Sequence, residues 1–156
     1  NNAVYHQTKA TGCHGAHTDI LHIPAGGSAY PICQEVIDQK LHYLAMSGQE
    51  VFKLAVNTMA SAALEALAHS PIDIDQVRWL VPHQANVRII NSVAKRLRLP
   101  EDRAYINLPK YGNTSAATIP IALDELVRND LVKQDDYLLL VAFGAGLTWG
   151  ASLIQW

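Results

Sequence analysis

The stretch YLLLVAFGAG at residues 137–146 decides the fold of this chain. Its first seven residues form an unbroken apolar run, which is typical of a strand covered on both faces of a sheet. The small residues Gly144, Ala145 and Gly146 then predict a tight turn. Residues 147–155 predict a second strand, which returns antiparallel to the first because the connection is so short.

Upstream of this run, helical and strand patterns alternate. Apolar residues recur at spacings of three and four over 48–69 and over about 84–97, which predicts two amphipathic helices. A third helix is predicted from Thr114 or Ser115 to about residue 129. It starts later or kinks, because Pro120 is tolerated without distortion only in a first turn. Short strands are predicted at 36–43, 77–81 and 104–108.

These elements predict an α/β domain. Strands joined by helical crossovers are parallel, and the closing pair is antiparallel, so the sequence predicts a mixed five-stranded sheet with helices on both faces. Residues 1–34 are rich in turn-prone Gly and Pro, and only short strands at 3–7 and 19–23 are predicted there. In such sheets, ligands bind at the carboxyl ends of the strands.

Composition argues against several classes of function. The net charge is -2 and only 17% of residues are charged, so no basic surface for nucleic acid is predicted. No signal-peptide pattern and no run of about 20 apolar residues is apparent, so no membrane partner is predicted.

Cys13 and Cys33 are expected to be free thiols in a cytoplasmic protein. His14 and His17 near Cys13 lack a fourth ligand, so neither a metal site nor a permanently bound cofactor is predicted.

Three loops at predicted strand ends carry hydrogen-bond donors. His83 lies where a helix begins, and the positive partial charge of a helix N-terminus disfavours imidazolium. Taken alone, His83 more often caps the helix or packs in the core, and Asn113 more often forms an N-cap or a turn. The turn at 144–146 is weak evidence by itself. Together, the three loops offer neutral donors, which suit a developing oxyanion in acyl-transfer or enolate chemistry.

Four motifs carry a resemblance to a known family. VPHQAN at 81–86, GNTSAA at 112–117 and FGAGLTWG at 143–150 resemble, in order and spacing, the signatures of β-ketoacyl-[acyl carrier protein] synthase III. AMSGQEVF at 45–52 is similar to a loop and helix start of the same enzymes. The resemblance implies a thiolase-like half. Residues 35–156 would be its C-terminal domain, and residues 1–34 a connecting segment and the end of the first half.

The resemblance implies decarboxylative condensation, the reaction that initiates fatty acid biosynthesis. A cysteine takes an acyl group from a short acyl-CoA, malonyl-[acyl carrier protein] loses CO2, and the resulting enolate attacks the acyl-cysteine. His83 and Asn113 match the residues that stabilise the enolate, and the backbone N–H of Ala145 matches part of the acyl-enzyme oxyanion hole. Phe143 would border the site. Gly48 and Asn86 match substrate-binding positions.

The family's cysteine nucleophile belongs to the first half, and this chain does not contain it. Neither Cys13 nor Cys33 lies at a strand-to-helix elbow. The resemblance therefore implies an acyltransferase that is incomplete in this chain alone. It works with the missing N-terminal half and, as is typical of the family, as a homodimer.

A positively charged segment is expected to meet the carrier protein. The residues of this predicted docking surface are Gln84, Ala85, Asn86, Val87, Arg88, Lys53, Lys95 and Arg96. Carrier proteins are acidic and their phosphopantetheine arm carries a phosphate, so cations beside the site are complementary to them. A solvated helix face explains the same charges equally well from sequence alone.

Two other functions remain open at this stage. Related condensing enzymes make polyketides or quinolones, or transfer acyl groups without decarboxylation. A non-catalytic module that binds a carrier protein or dimerises is consistent with the missing nucleophile, although the presence of both His83 and Asn113 argues against it. A strand-to-helix cysteine in the upstream coding sequence would favour the enzyme.

Overall fold

The computed structural model describes the backbone of residues 5–156 and the side chains of residues 8–156. The strands are β1 (Tyr5–Cys13), β2 (Leu21–His22), β3 (Ala45–Met46), β4 (Val77–Pro82), β5 (Tyr137–Gly144) and β6 (Thr148–Gln155). The α-helices are α1 (Gln34–Asp38), α2 (Gly48–Ala68), α3 (Val87–Arg96), α4 (Leu108–Tyr111) and α5 (Thr118–Arg128). Part of the strand predicted at 3–7 lies outside the described residues, and the observed strand continues further, to Cys13.

The main sheet has the order β1–β6–β5–β4. Strands β4 and β5 are parallel, whereas β6 is antiparallel to both β5 and β1. Residues 137–155 fold as predicted: β5 runs through the sheet, the chain turns after Gly144 and returns as β6. Leu138 and Leu139 on β5 are fully buried on opposite faces, which explains why this strand shows no polar alternation.

Helices cover both faces of the sheet, as predicted. On one face, α2 and α3 pack through small and branched side chains such as Ala63 and Val93 against Leu139 and Leu153. On the other face, α5 packs through residues such as Leu126 against a separate cluster. The parallel β4–β5 pair therefore lies between two apolar layers.

The predicted five-stranded count is corrected to four, because two predicted strands are absent and β1 joins the edge instead. Residues 36–43 begin in the short helix α1 and then turn, with Lys40 at a φ of 59°, which ends any extended run. Residues 104–108 make only one bridge, between Leu80 and Ala104. Strand β2, predicted over 19–23, pairs with β3 in a separate two-stranded sheet.

Two helices begin later than their apolar patterns predict. Helix α3 starts at Val87, because the side-chain oxygen of Asn86 accepts a hydrogen bond from the backbone N–H of Arg88 at 2.9 Å and caps it. Helix α5 starts at Thr118, after a 3-10 turn, so that Pro120 falls in its first turn. This agrees with the later start that Pro120 predicts.

Helix α2 is long and apolar enough to cross a membrane by length and composition alone. Nine of its 21 residues are buried, and it packs against β1, β5, β6 and α3. A core helix of this kind meets the same two criteria, so its place in the fold accounts for its composition.

Strand β1, in the N-terminal part of the chain, forms one edge of the main sheet. Strand β1 pairs with β6 along most of its length, although it lies before the boundary predicted at residue 34. That boundary, like the assignment of residues 1–34 to the end of a first half, remains a prediction. Cys13 and Cys33 are exposed free thiols. Among the described residues, no group of His, Cys, Asp and Glu side chains is placed to hold a metal ion.

Candidate active site

A cavity of about 420 Å³ lies at the carboxyl ends of β4 and β5. It joins residues from all three loops singled out in the sequence. Its lining consists of His83, Asn113, Ser115, Ala116, Thr118, Ile119, Ala142, Phe143, Gly144, Thr148, Trp149 and Gly150. The predicted pair, His83 and Asn113, is therefore brought together although 30 positions separate the two residues in the sequence (113 − 83).

His83 directly follows β4 and is fixed through both its backbone and its ring. Its backbone N–H donates to the carbonyl of Val141 at 2.8 Å, which extends the β4–β5 pairing by one residue. Its Nδ1 lies 2.6 Å from the hydroxyl oxygen of Thr118. No partner is recorded for Nε2 within the described part of the chain, so Nε2 is the ring nitrogen available to a ligand.

Burial lowers the pKa of His83 below its ordinary value, because a half-buried imidazole pays a desolvation cost when it becomes a cation. The sequence predicts the same direction of the pKa shift, from a helix N-terminus. That cause is corrected, since α3 starts four residues later, at Val87. His83 is therefore a neutral imidazole near pH 7, with one nitrogen that donates and one that accepts.

Asn113 has the turn-forming role that the sequence considers, whereas its donor role remains a prediction. Its side-chain oxygen accepts a hydrogen bond from the backbone N–H of Ser115 at 2.9 Å. This contact fixes the amide plane and does not use the Nδ2 group, which keeps its two N–H donors. Gly112, immediately before it, has a φ of 72°, in the left-handed region that favours glycine.

The turn between β5 and β6 borders the cavity. Phe143 and Gly144 line it, as predicted for Phe143, whereas Ala145 lies in the exposed turn and is not part of the lining. The hydroxyl of Thr148 donates to the carbonyl of Ala145 at 3.2 Å. Gly146 has a φ of 132°, so a side chain at this position would be strained. An oxyanion role for the Ala145 N–H remains a prediction.

Residues 67–156 match the family model described as 3-oxoacyl-[acyl-carrier-protein (ACP)] synthase III C terminal. The chain belongs to this synthase III family. The matched range contains all three loops of the site.

Relatives extend the likeness to nearly the whole chain. The β-ketoacyl-[acyl-carrier-protein] synthase III of Caldanaerobacter subterraneus is 51% identical over 145 residues, which are 93% of this chain and 44% of that protein. Crystal structures of synthase III from Aquifex aeolicus (36% identity, TM-score 0.85) and Thermus thermophilus (37%, 0.84) cover all of this chain. This chain covers 46% and 47% of those two. It thus has the thiolase-like fold of synthase III, but spans under half of these relatives' length.

Gln84 directly follows His83. The sequence places it on the surface predicted to contact the carrier protein, but it is 1% exposed and its side chain is bonded within the fold, so this part of the prediction is corrected. Its amine donates to the carbonyls of Pro82 and Tyr105, and its oxygen accepts from the backbone N–H groups of Asn107 and Leu108, at 2.9–3.3 Å. Gln84 therefore ties the end of β4 to residues 105–108, and cannot present its side chain to a partner.

A carboxylate that the sequence did not single out continues this connection towards Asn113. Glu125 on α5 accepts hydrogen bonds from Asn107 at 2.7 Å and from Tyr111 at 2.9 Å, and it forms an ion pair with Lys110. The hydrogen bonds from Lys110 and then Asn107 lower the pKa of Glu125 to about 2. Helix α4, which leads into the Asn113 turn, is thereby fastened to α5.

A close approach between two strands shapes the part of the cavity wall that contains Trp149. Gly12 on β1 pairs with Trp149 on β6, and a Cβ atom at position 12 would lie 2.6 Å from the indole ring. Only glycine leaves room for Trp149 in this place. The glycine-rich composition of the N-terminal residues gives no sign of this role.

The other predicted contact residues do not line the cavity. Gly48 is exposed at the start of α2 and does not line the cavity. Arg88 on α3 is exposed, and its guanidinium lies 5.5 Å from the ring centroid of Phe52 on α2. The other exposed members of the predicted docking surface are Lys53, Ala85, Asn86, Lys95 and Arg96, whereas Val87 is half-buried. No ion pair recorded for the described side chains involves the four cations of this surface, Lys53, Arg88, Lys95 and Arg96.

Proposed function

We propose that this chain is the enolate-stabilising half of a β-ketoacyl-[acyl carrier protein] synthase III. The observation that supports this proposal is that His83 and Asn113 line one cavity, each with a side-chain nitrogen that its structural contact does not use. With the ring proton on Nε2, both nitrogens are neutral donors. Two such donors suit an oxygen that gains negative charge. A cationic donor would also bind the carboxylate of the ground state, which would not lower the barrier.

In the proposed reaction, a cysteine thiolate attacks an acyl-CoA, and CoA leaves as a thiolate that takes a proton from solvent. The malonyl thioester of the carrier protein then breaks the bond to its carboxylate, which leaves as CO2. The released electron pair moves into the thioester as an enolate, whose oxygen is held by Nε2–H of His83 and Nδ2–H of Asn113. The enolate carbon attacks the acyl-cysteine, and the cysteine thiolate leaves. The product is a β-ketoacyl carrier protein.

The surroundings of the donors fit the same reaction. Phe143 and the indole of Trp149 give the cavity apolar walls, which exclude water and strengthen the hydrogen bonds to the enolate. We assign the backbone N–H of Ala145 to the acyl-enzyme oxyanion hole, and Asn86 and Gly48 to contacts with the pantetheine arm. No permanently bound cofactor takes part.

The nucleophile is proposed to come from the part of the relatives that this chain does not cover. Cys13 and Cys33 do not line the cavity. The working enzyme then consists of both halves and acts as a cytoplasmic homodimer. Its substrates are a short acyl-CoA and the malonyl carrier.

A fused protein tests the proposal. In it, this chain follows the N-terminal portion of the Caldanaerobacter subterraneus relative, the portion that this chain does not match. We expect it to form a β-ketoacyl carrier from acyl-CoA and malonyl carrier. Acylation of the cysteine without release of CO2 would instead support an acyl-transfer enzyme. A folded protein that only binds the carrier would support a non-catalytic module.

Charge reversal at Arg88 tests the docking surface. Arg88 is exposed at the start of α3, beside Asn86, and is not ion-paired with a described side chain. Arg88→Glu is expected to raise the KM for the malonyl carrier about tenfold at low salt while the KM for acyl-CoA changes less, because the carrier presents many acidic groups and the CoA few. Arg78→Glu, at the opposite end of β4, is the matched control. Equal effects on the two substrates would count against carrier docking here.

A further inference from the structure

The sequence did not single out Thr118, yet this residue makes the one side-chain contact recorded for the His83 ring in the described part of the chain. It is the first residue of α5 and is 2% exposed. Its hydroxyl oxygen lies 2.6 Å from Nδ1 of His83 and 2.9 Å from the carbonyl oxygen of Ser115. Its branched side chain has few rotamers, so the hydroxyl is held at this place.

The direction in which the Thr118 hydroxyl donates its proton determines whether Nε2 of His83 is a hydrogen-bond donor or an acceptor. A hydroxyl carries one proton, which can go to Nδ1 of His83 or to the carbonyl of Ser115. If it goes to Nδ1, the ring proton must be on Nε2, which then donates into the cavity. If it goes to Ser115, Nδ1 carries the ring proton and donates to Thr118, and Nε2 can only accept.

The carbonyl of Ser115 does not depend on this proton. It already accepts a hydrogen bond from the backbone N–H of Thr118. Nδ1 of His83 has no such second donor among the described residues. Both arrangements leave the three groups with a partner, since a protonated Nδ1 can donate to Thr118. The proposed need for a donor at Nε2 selects the arrangement in which Thr118 donates to Nδ1.

We propose that Thr118 is a positioning residue that donates to Nδ1 of His83 and thereby keeps the ring proton on Nε2 while the enolate forms. The inference rests on the proposed function, because only an enolate or similar oxyanion requires a donor at Nε2. Burial keeps the ring neutral, and only a neutral ring has a choice of tautomer.

Two variants of Thr118 in the fused protein separate the hydroxyl from the packing. Thr118→Val keeps the shape and removes the hydroxyl, and it is expected to lower kcat for CO2 release at least about tenfold with little change in KM, because a buried hydrogen-bond acceptor loses its donor. Thr118→Ser keeps the hydroxyl and is expected to stay within about threefold of the unmodified protein. Thr58→Val, which removes a hydroxyl bonded to Leu54 inside α2, is the matched control.

Nitrogen-15 spectra of histidine-labelled fused protein report the tautomer directly. The His83 signals are identified by their loss in His83→Ala. We expect Nε2–H in the unmodified protein and a shift towards a mixture of tautomers in Thr118→Val. A ring proton on Nδ1 in the unmodified protein, or spectra and kcat unchanged by Thr118→Val, would overturn the proposal. Failure of the proposed function has a different signature: no CO2 release by the unmodified protein, whatever the tautomer.

Discussion

Replacing His83 by Ala in the fused protein is expected to slow CO2 release from the malonyl carrier by about 10²–10³-fold, the usual cost of one oxyanion donor. The donor is held at the end of β4 by the backbone bond to Val141 and by Thr118. Acylation of the cysteine by acyl-CoA is expected to fall less, because its oxyanion is assigned to a backbone N–H.

The measurement is the rate of labelled CO2 release at saturating malonyl carrier, next to the rate of cysteine acylation. His69→Ala is the control, since His69 is an exposed histidine at the end of α2, away from the cavity. Equal loss of acylation and CO2 release would assign His83 to the nucleophile rather than to the enolate. Unchanged CO2 release would remove it from the site.

Asn113→Asp is expected to have an effect at least as large, about 10³-fold on CO2 release, because it replaces a donor by a negative charge. One carboxylate oxygen can still accept from the N–H of Ser115, so the turn is preserved. The other oxygen takes the place of Nδ2 and repels the enolate. The new charge also raises the pKa of His83, since an opposite charge nearby favours the cation.

The same assay compares Asn113→Asp with Asn113→Ala, which removes the donor without adding charge. We expect CO2 release to be fastest in the unmodified protein, slower in Asn113→Ala and slowest in Asn113→Asp. Asn129→Asp, at the exposed end of α5, makes the same exchange away from the cavity. An Asp variant faster than the Ala variant would contradict the claim that negative charge develops next to Asn113.

The parts of the fold that follow from local pattern could be predicted from the sequence. Strand β5 is covered on both faces, so it leaves an uninterrupted apolar run, and α2 is long enough to show its period. The strand predicted at 104–108 failed for a reason that lies elsewhere in the chain. The buried side chain of Gln84 binds the N–H groups of Asn107 and Leu108, which a neighbouring strand would otherwise use.

In the candidate site, too, the residues that follow from a local pattern could be predicted from the sequence, and the others could not. His83 and Asn113 follow from strand ends and motifs, whereas the residues that orient them do not. Thr118 is 35 positions away from His83, and Glu125 is 18 positions away from Asn107. Each resembles an ordinary residue of an amphipathic helix. Only the packing of α5 over the end of β4 gives them a role, and no local pattern encodes that packing.

The most direct test of the enolate-stabilising role is the rate at which the unmodified fused protein releases CO2 from malonyl carrier, measured beside the Caldanaerobacter subterraneus synthase III. A circular dichroism spectrum and a cooperative unfolding transition establish beforehand that the fused protein is folded. We predict release within about tenfold of the relative's rate, because His83 and Asn113 already share one cavity in this chain. A folded fused protein that acylates its cysteine but releases no CO2 would contradict the account.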